Sequence, residues 1–217
     1  MDQNALKKAA AEYALRYVTD ECILGIGTGS TVNFFIEALV SLKGRIDTLV
    51  ASSEASAQRL KALGFRVQDL NTVPHLDVYI DGADEANAHK QLIKGGGGAL
   101  TREKILADAA KQFVCLIDES KKVDVLGDFP VAVEVLPLAR SLVGRGLVKL
   151  GGDPAYREGF VSDNGNIILD VYNLDLTEPL KMEQAINQLS GVVCNGIFAQ
   201  RTADILVIAG KNGIELR

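Results

Sequence analysis

Residues 22–40 read CILGIGTGSTVNFFIEALV, and the order of elements in this stretch decides the fold. The apolar run at 22–26 predicts a short buried strand, and the run at 32–40 predicts a helix. The glycine-rich turn between them, residues 27–31, offers backbone N–H groups and the positive end of a helix dipole to an anion. Three residues of the turn add hydroxyl donors: Thr28, Ser30 and Thr31. We therefore predict an anion site here, and a tight turn with a hydroxyl helix cap is the purely structural alternative.

The same turn does not fit two common nucleotide-binding motifs. Gly25 and Gly27 match the first half of the dinucleotide fingerprint, but its third glycine would fall on Ser30. A Walker loop needs a lysine followed by serine or threonine after its glycines, and this turn has none. A single phosphate group is therefore the better candidate for the anion.

Strands and helices alternate around this turn, through residue 80. Helices are predicted at 4–18 and 52–63, and strands at 48–51, 65–67 and 76–80. This alternation implies βαβ units, and hence an α/β fold with a Rossmann-like, mostly parallel sheet flanked by helices. In such sheets, ligands gather at the carboxyl ends of the strands.

A second candidate site follows the strand predicted at 76–80. Residues 81–104 read DGADEANAHKQLIKGGGGALTREK. The charged side chains that we single out in this stretch are Asp81, Asp84, Lys94 and Glu103, the last of them in a helix start. Four successive glycines cost backbone entropy on folding, so the run indicates a close approach of the backbone to something or positive φ angles. Because both candidate sites follow strands, we expect them at the same edge of the sheet. The alternative interpretation of residues 81–104 is a flexible loop with solvated charges.

Two lysines outside these stretches could reach an anion at that edge. Lys121 closely follows a strand predicted at 112–118, which places it at the same edge of the sheet. Lys7 lies near the start of the helix predicted at 4–18. For both residues, an ordinary solvated surface lysine is the alternative interpretation.

The sequence pattern changes after residue 129. A weakly alternating strand at 131–135, a helix at 138–152 and a helix at 178–189 are predicted, with a strand-like segment at 191–194. Segments 160–162 and 167–171 flank an Asn-Gly turn and predict a β-hairpin. We assign 130–202 to a smaller α+β subdomain. The strongly apolar strand at 204–209 suits the large sheet, so the large catalytic domain is predicted as discontinuous, 1–129 plus 203–217.

Composition narrows the functional classes. The chain has 217 residues and a net charge of −5, which argues against nucleic acid as a partner. Its apolar runs are too short for a membrane span, and the N-terminus has no apolar signal core, so a cytoplasmic protein is expected. The three cysteines are widely spaced and the two histidines lack ligand spacing, so neither a disulfide framework nor a metal site is predicted.

Six motifs, spread over most of the chain, together resemble the metal-independent ribose-5-phosphate isomerase A family. They are GIGTGST at 25–31, ASSEAS at 51–56, DGADE at 81–85, KGGGGALTREK at 94–104, SDNGN at 162–166 and the region around Lys121. The resemblance implies interconversion of D-ribose 5-phosphate and D-ribulose 5-phosphate in the non-oxidative pentose phosphate pathway. The proton would move between C2 and C1 through an enediolate, with no metal or organic cofactor. A sugar phosphate substrate and a homodimer, formed through the smaller subdomain, are also implied.

The resemblance also implies roles for individual residues. Glu103 matches the general base, and Asp81, Asp84 and Lys94 match polar residues that bind sugar hydroxyls, assist ring opening and polarise the carbonyl. The remaining substrate-binding positions carried over are Thr28, Gly29, Ser30, Thr31, Gly82, Ala83, Gly95, Gly96, Gly97 and Lys121. Lys7 could assist the phosphate.

Three other functions compete with this one. A non-catalytic sugar-phosphate sensor would not need Glu103 or Lys94 and would usually carry a DNA-binding segment, for which there is no room before residue 20. A nicotinamide-dependent oxidoreductase is disfavoured by Ser30 at the third glycine position. Acyl-CoA transfer or amino-sugar deamination on the same scaffold remains a third alternative.

Overall fold

The computed structural model describes residues 2–46 and 48–217. Contacts within the chain group it into two compact units. The first unit contains Met1–Ala83, Arg102–Lys122 and Ala203–Arg217, and the second contains Asp84–Thr101 and Val123–Thr202. The domain boundaries expected from the sequence placed 84–101 and 123–129 in the large domain instead. Grouping by contacts does not test which segments fold together as a domain, so those boundaries stay a prediction.

The described residues form six α-helices and thirteen strands. The helices are α1 Gln3–Ala14, α2 Ser30–Leu39, α3 Glu54–Ala62, α4 Leu100–Ala109, α5 Arg140–Lys149 and α6 Pro179–Asn187. The strands are β1 Ile23–Ile26, β2 Thr48–Ala51, β3 Leu76–Gly82, β4 Glu85–Ala86, β5 Leu92–Ile93, β6 Ala110–Asp118, β7 Val131–Val135, β8 Asp153–Tyr156, β9 Ile167–Tyr172, β10 Val192–Asn195, β11 Ile197–Phe198, β12 Ile205–Gly210 and β13 Gly213–Leu216. Short 3-10 turns occupy Leu15–Tyr17, Val40–Arg45, Leu70–Thr72, Glu119–Lys121 and Pro137–Ala139.

The first unit is built on a six-stranded sheet in the order β13-β12-β6-β3-β1-β2. All neighbouring pairs are parallel except β12 with β13, which confirms the predicted mostly parallel sheet. Strand β1 lies between β2 and β3, so the order of the chain reverses at the β1–β3 pair. Ligands of open α/β sheets bind where the strand order reverses, outside the carboxyl ends of the strands.

One face of this sheet is covered by the first three helices. Their apolar side chains, including those of Leu6, Phe35 and Leu60, form one core cluster with strand residues such as Ile26 and Ile80. Successive residues of a strand point to opposite faces. Tyr79 therefore lies on the other face, where its ring centroid is 5.1 Å from that of its register partner Phe113.

The second unit contains two smaller sheets, one of four strands in the order β10-β7-β9-β8 and one of three in the order β11-β5-β4. Both sheets are antiparallel. Side chains of α5 and α6, among them Val143, Leu147 and Ile186, pack with strand residues such as Val133 and Leu169. This is the α+β arrangement that was expected for the smaller part of the chain.

The predicted hairpin at 160–171 is wrong in one of its strands. The Asn-Gly turn is present, with Gly165 N–H donating to the Ser162 carbonyl at 2.9 Å, but residues 160–162 are not a strand. β9 pairs instead with β8, whose sequence DPAY contains Pro154. Proline lacks the N–H that a central strand needs, yet an edge strand such as β8 tolerates it. The predicted strand at 65–67 is only an isolated bridge between Leu49 and Val67.

Asp77 joins the amino ends of three strands of the large sheet. Its Oδ1 accepts a hydrogen bond from Lys111 Nζ at 2.8 Å and lies 3.0 Å from His75 Nε2, and its Oδ2 accepts the Ile23 N–H at 3.0 Å. These contacts, the hydrogen bond from Lys111 foremost, lower the pKa of Asp77 from 3.8 to about 2. The ionised carboxylate is therefore part of the folded structure.

We expect this carboxylate to make stability pH-dependent. Since its pKa is lower in the folded than in the unfolded state, the stabilisation is complete above about pH 4 and is lost as pH falls toward about 2. Asp77→Asn should lower the free energy of unfolding at neutral pH by about 1 kcal/mol, less than the full shift implies because solvent screens a side chain that is 31% exposed. Urea unfolding of both proteins at neutral pH and at about pH 3 should show the difference shrinking.

The matched control is Asp124→Asn, which removes an exposed carboxylate from the second unit. It should leave the unfolding free energy within about 0.5 kcal/mol of the starting protein at both pH values. An Asp77→Asn protein that is as stable as its parent at neutral pH would contradict the expectation.

None of the helices in residues 2–46 and 48–217 combines the length and the apolar character that a membrane span needs. Cys22, Cys115 and Cys194 are all buried and not in disulfides. Burial raises the pKa of the Cys22 thiol, so it stays protonated at neutral pH.

Candidate active site

The turn between β1 and α2 is held from two sides, by β3 and by the start of α3. On one side, Thr28 N–H donates to Asp81 Oδ1 at 3.1 Å. On the other side, Ser56 Oγ donates to the Gly27 carbonyl at 2.7 Å, and Ser53 Oγ donates to Thr28 Oγ1 at 3.0 Å. The first N–H groups of a helix have no partner within the helix. Because the turn is fixed from both sides, the amino end of α2 has a defined position from which it can bind an anion.

Asp81 is fully buried at the carboxyl end of β3 and accepts hydrogen bonds on both oxygens. Its Oδ1 accepts the N–H groups of Thr28 at 3.1 Å and Gly82 at 2.7 Å, and its Oδ2 accepts the Tyr79 hydroxyl. Hydrogen bonds to a charged group are worth more than neutral ones, roughly 1.5–3 kcal/mol each. The Asp81 carboxylate is thus oriented against the turn between β1 and α2.

Glu103 lies in the first turn of α4 and is only 3% exposed. Its charge acts on Tyr79, whose pKa is raised well above 10.0, first by burial and then by the negative charges of Asp81 and Glu103. Two carboxylates therefore lie within electrostatic reach of one buried phenol. The first unit brings together the Thr28 turn, Asp81 and Glu103, three of the predicted elements of the site.

In the second unit, Lys94 is 3% exposed. Its backbone N–H donates to the Gly196 carbonyl at 2.9 Å, and its Nζ lies 5.6 Å from the centroid of the Phe198 ring. A buried ammonium costs several kcal/mol in lost hydration unless other groups compensate. Lys94 is therefore a charged side chain that the fold keeps away from bulk water.

The tetraglycine run forms a tight turn in which the four residues differ. Gly95 and Gly98 are buried with φ of 108° and 76°, and the Gly98 N–H donates to the Gly95 carbonyl at 2.9 Å. Gly96 and Gly97 are exposed at the tip. Asp84 Oδ2 accepts the Gly96 N–H at 2.9 Å. The structure therefore brings Asp84 and the glycine turn together, as expected for one binding surface.

Arg157 holds the glycine turn from its carbonyl side. Its guanidinium donates to the Gly95 carbonyl at 3.1 Å and the Gly96 carbonyl at 3.2 Å, and its Nε donates to Asp170 Oδ2 at 2.8 Å. Arg157 could not be predicted from the sequence, because a single arginine in a loop carries no signal that it contacts glycines about sixty residues away.

The SDNGN motif surrounds a buried carboxylate, that of Glu134. Glu134 accepts hydrogen bonds from Ser162 Oγ at 2.7 Å, Asn166 Nδ2 at 2.8 Å, Asn164 Nδ2 at 3.1 Å and the Thr101 hydroxyl. Burial alone would raise the pKa of Glu134, but these hydrogen bonds outweigh burial and lower it. In the structure, the motif serves to stabilise an internal charge.

Three other residues predicted for the site are only partly buried. Lys121 ends the 3-10 turn that follows β6 and is partly exposed, Lys7 is partly exposed on α1, and Ala83 is partly exposed just after β3. Lys121 and Ala83 both lie beyond carboxyl ends of parallel strands. Within residues 2–46 and 48–217, no three His, Cys, Asp or Glu side chains form a group that could hold a metal ion. The roles expected for these residues stay predictions.

Comparison with known protein families identifies the chain. The family model for ribose 5-phosphate isomerase A, also called phosphoriboisomerase A, matches residues 48–213, which is more than half of the sequence. The chain belongs to this family. The fold and the family resemblance expected from the sequence are therefore confirmed.

Solved structures of family members are similar to this chain over its whole length. Ribose 5-phosphate isomerase A from Neisseria gonorrhoeae is 48% identical with a TM-score of 0.97, covering 99% of this chain and 96% of its own. The protein from Methanocaldococcus jannaschii is 35% identical with a TM-score of 0.95, covering 100% and 99%. A D-ribose-5-phosphate isomerase in complex with phospho-erythronic acid is 36% identical with a TM-score of 0.96, also covering 100% and 99%.

Proposed function

We propose that this chain interconverts D-ribose 5-phosphate and D-ribulose 5-phosphate, with Glu103 as the general base. As a member of the isomerase family, it is an aldose–ketose isomerase. The observation that supports the base assignment is the burial of the Glu103 carboxylate, whose charge reaches the same phenol that binds Asp81. A base shielded from bulk water can retain the proton that it removes until it returns it to the substrate.

The reaction has three chemical requirements. A base must remove the proton from C2 of the open-chain aldose and return it to C1. The oxygen on C1 must gain a proton and the oxygen on C2 must lose one, and the oxyanion of the enediolate must be stabilised by donors or by a cation. The phosphate must be held so that the reacting carbons stay in place. Each requirement corresponds to one group of residues in the chain.

Asp81, Asp84 and Lys94 are proposed for the oxygen chemistry. Carboxylates accept protons from sugar hydroxyls and can assist opening of the ring form. The Lys94 ammonium can polarise the carbonyl and stabilise the enediolate oxygen. The N–H group of Gly97, at the exposed tip of the glycine turn, is proposed as a further donor to substrate, whereas that of Gly96 already donates to Asp84 Oδ2.

The amino end of α2 is proposed as the phosphate site. Ser30 is the first residue of the helix and is exposed, and Thr31 follows it. Their N–H groups, the dipole of α2 and their hydroxyls all favour a bound anion. Lys121 is proposed to add a positive charge and Lys7 a second one.

We expect Ser30→Ala and Lys121→Ala to raise KM about tenfold each with kcat nearly unchanged, because they remove interactions with a group that does not react. Initial rates over a range of ribose 5-phosphate concentrations give both constants. Ser41→Ala, which removes an exposed serine hydroxyl from another part of the first unit, is the matched control and should leave KM unchanged. If the two variants lowered only kcat, the phosphate assignment would be wrong.

The overall proposal is tested by supplying ribose 5-phosphate to the purified chain in buffer with a chelator and no added cofactor. Formation of ribulose 5-phosphate is the expected result. Binding without turnover would favour a sugar-phosphate sensor, and turnover only after a nicotinamide cofactor is added would favour an oxidoreductase.

We further propose that the chain acts as a homodimer in the cytoplasm, within the pentose phosphate pathway. Support for self-association comes from exposed apolar side chains on the second unit, such as Leu138, Leu142 and Val148. Exposed apolar surface of this kind often marks a contact between proteins.

A further inference from the structure

Tyr79 is fully buried in the middle of an apolar strand, but its hydroxyl makes a hydrogen bond to a residue of the predicted site. The phenol donates to Asp81 Oδ2, two residues along β3 on the same face of the sheet. The charged groups that act on it are Asp81 on its own strand and Glu103 on α4, and the hydroxyl of Ser52, which follows β2, also interacts with it. Tyr79 therefore contacts one proposed catalytic carboxylate and lies within electrostatic reach of the other.

Strand β1 and the turn that follows it have glycines where they face Tyr79 and Asp81. Gly25 is the register partner of Tyr79, and a Cβ added at Gly25 would lie 2.9 Å from Tyr79 Cδ2. A Cβ added at Gly27 would lie 2.0 Å from Asp81 Cγ. Both distances are too short for any side chain. Gly25 in β1 and Gly27 in the turn directly after it thus leave space for the Tyr79 ring and the Asp81 carboxylate.

An ordinary core role explains the ring of Tyr79 but not its hydroxyl. The ring packs beside Phe113, with 5.1 Å between centroids, and phenylalanine would fill the same space. A buried phenol needs a hydrogen-bond partner, and removing its hydration is costly without one. Here the partner is a carboxylate that also binds the N–H of Thr28. Packing alone does not require this hydroxyl, which binds a carboxylate of the predicted site.

We propose that Tyr79 is a positioning residue for the isomerase reaction, which fixes the Asp81 carboxylate against the β1–α2 turn. This inference rests on the proposed role of Asp81 in catalysis. Burial and the two carboxylates raise the pKa of Tyr79, so the phenol stays protonated and donates throughout the working pH range. The N–H of Thr28 and that of Gly82 hold one oxygen of Asp81 while Tyr79 holds the other, which sets the plane of the carboxylate.

The direct test is Tyr79→Phe, which deletes the hydroxyl and keeps the ring. We expect kcat to fall about 10- to 100-fold, as loss of a hydrogen bond to a charged group implies, while KM changes less than about threefold. A role in packing alone would lower thermal stability and would leave kcat unchanged at a temperature well below melting.

Thr48→Val is the matched control, because it removes a buried hydroxyl from the same sheet near the amino end of β2. It should lower the melting temperature without changing kcat at a temperature well below melting. The proposal is overturned if Tyr79→Phe retains the parental kcat, or if Thr48→Val lowers kcat to the same extent.

The outcome is separable from that of the proposed function. If the parent protein lacks isomerase activity, the proposed function fails. If the parent is active, Glu103→Gln is inactive and Tyr79→Phe is unaffected, only the present inference fails. Should Tyr79→Phe not fold, the parent labelled with ¹³C at the tyrosine Cζ atoms gives the answer, with assignment from variants of the other tyrosines. A Tyr79 resonance that shifts on saturation with ribose 5-phosphate supports the proposal, and one that does not move overturns it.

Discussion

Replacing Glu103 by glutamine is expected to lower kcat by about 10²–10⁴-fold and to leave KM within a few-fold of the parent value. The amide has the size of the carboxylate and fits the same buried position, but it cannot accept a proton from carbon. Since Glu103 is 3% exposed, water has little access to replace it as the base. The loss should therefore appear in the chemical step and not in substrate binding.

Two measurements check this expectation. Steady-state rates give kcat and KM, and NMR in D₂O follows the exchange of the C2 proton of ribose 5-phosphate, which should slow in parallel with kcat. Glu37→Gln, a change to an exposed glutamate of α2, is the control and should alter neither rate. A Glu103→Gln enzyme that retains most of its turnover would show that another group is the base.

Replacing Lys94 by methionine is expected to lower kcat by about 10²–10³-fold, the usual effect of removing one stabiliser of a developing oxyanion. Methionine approximates the length of the lysine stem and is apolar, so a position that is 3% exposed should accept it without loss of packing. Thermal melting should show that the variant is fully folded at the assay temperature, so that the loss of kcat reports on the missing ammonium.

Lys149→Met provides the comparison, since it removes an exposed lysine of α5 in the same unit. Its kcat and KM should match those of the parent. An increase in KM with unchanged kcat in Lys94→Met would mean that the ammonium binds substrate equally in the ground state and the transition state. Its proposed role in polarising the carbonyl would then be wrong.

Most of the large sheet could be predicted from the sequence because its strands are buried on both faces. Such strands appear as largely apolar runs, as at 22–26, 76–80 and 204–209. The two-residue strands β4, β5 and β11 had no such signal. They are too short for any periodicity, and they form because β5 pairs with the nearby β4 and with the distant β11.

Strand β8 shows a second limit of sequence analysis. Pro154 argues against a strand at that position unless the strand lies at a sheet edge, and the edge position is decided by the pairing of β9 with β7 and β8. The apolar segment at 160–162 was the better candidate by composition, although the chain does not use it as a strand.

The candidate site was predictable where its residues follow strands. The rule that parallel strands end at one edge pointed to Thr28 and Asp81, and the structure joins them directly. Tyr79 could not be predicted as a site residue, because an aromatic residue inside an apolar strand is typical of the hydrophobic core. Arg157 was hidden because its partners, the carbonyls of Gly95 and Gly96, carry no chemical signature in a sequence.

Gly25 and Gly27 have a consequence for the design of a scaffold that carries the same proposed site. A list of the proposed active groups would include Asp81 and Tyr79 and would omit these two glycines, which contribute no side-chain atom. A scaffold that copies the list but keeps ordinary residues on the adjoining strand would have no space for the carboxylate or the ring. A design must therefore copy Gly25 and Gly27 together with Asp81 and Tyr79.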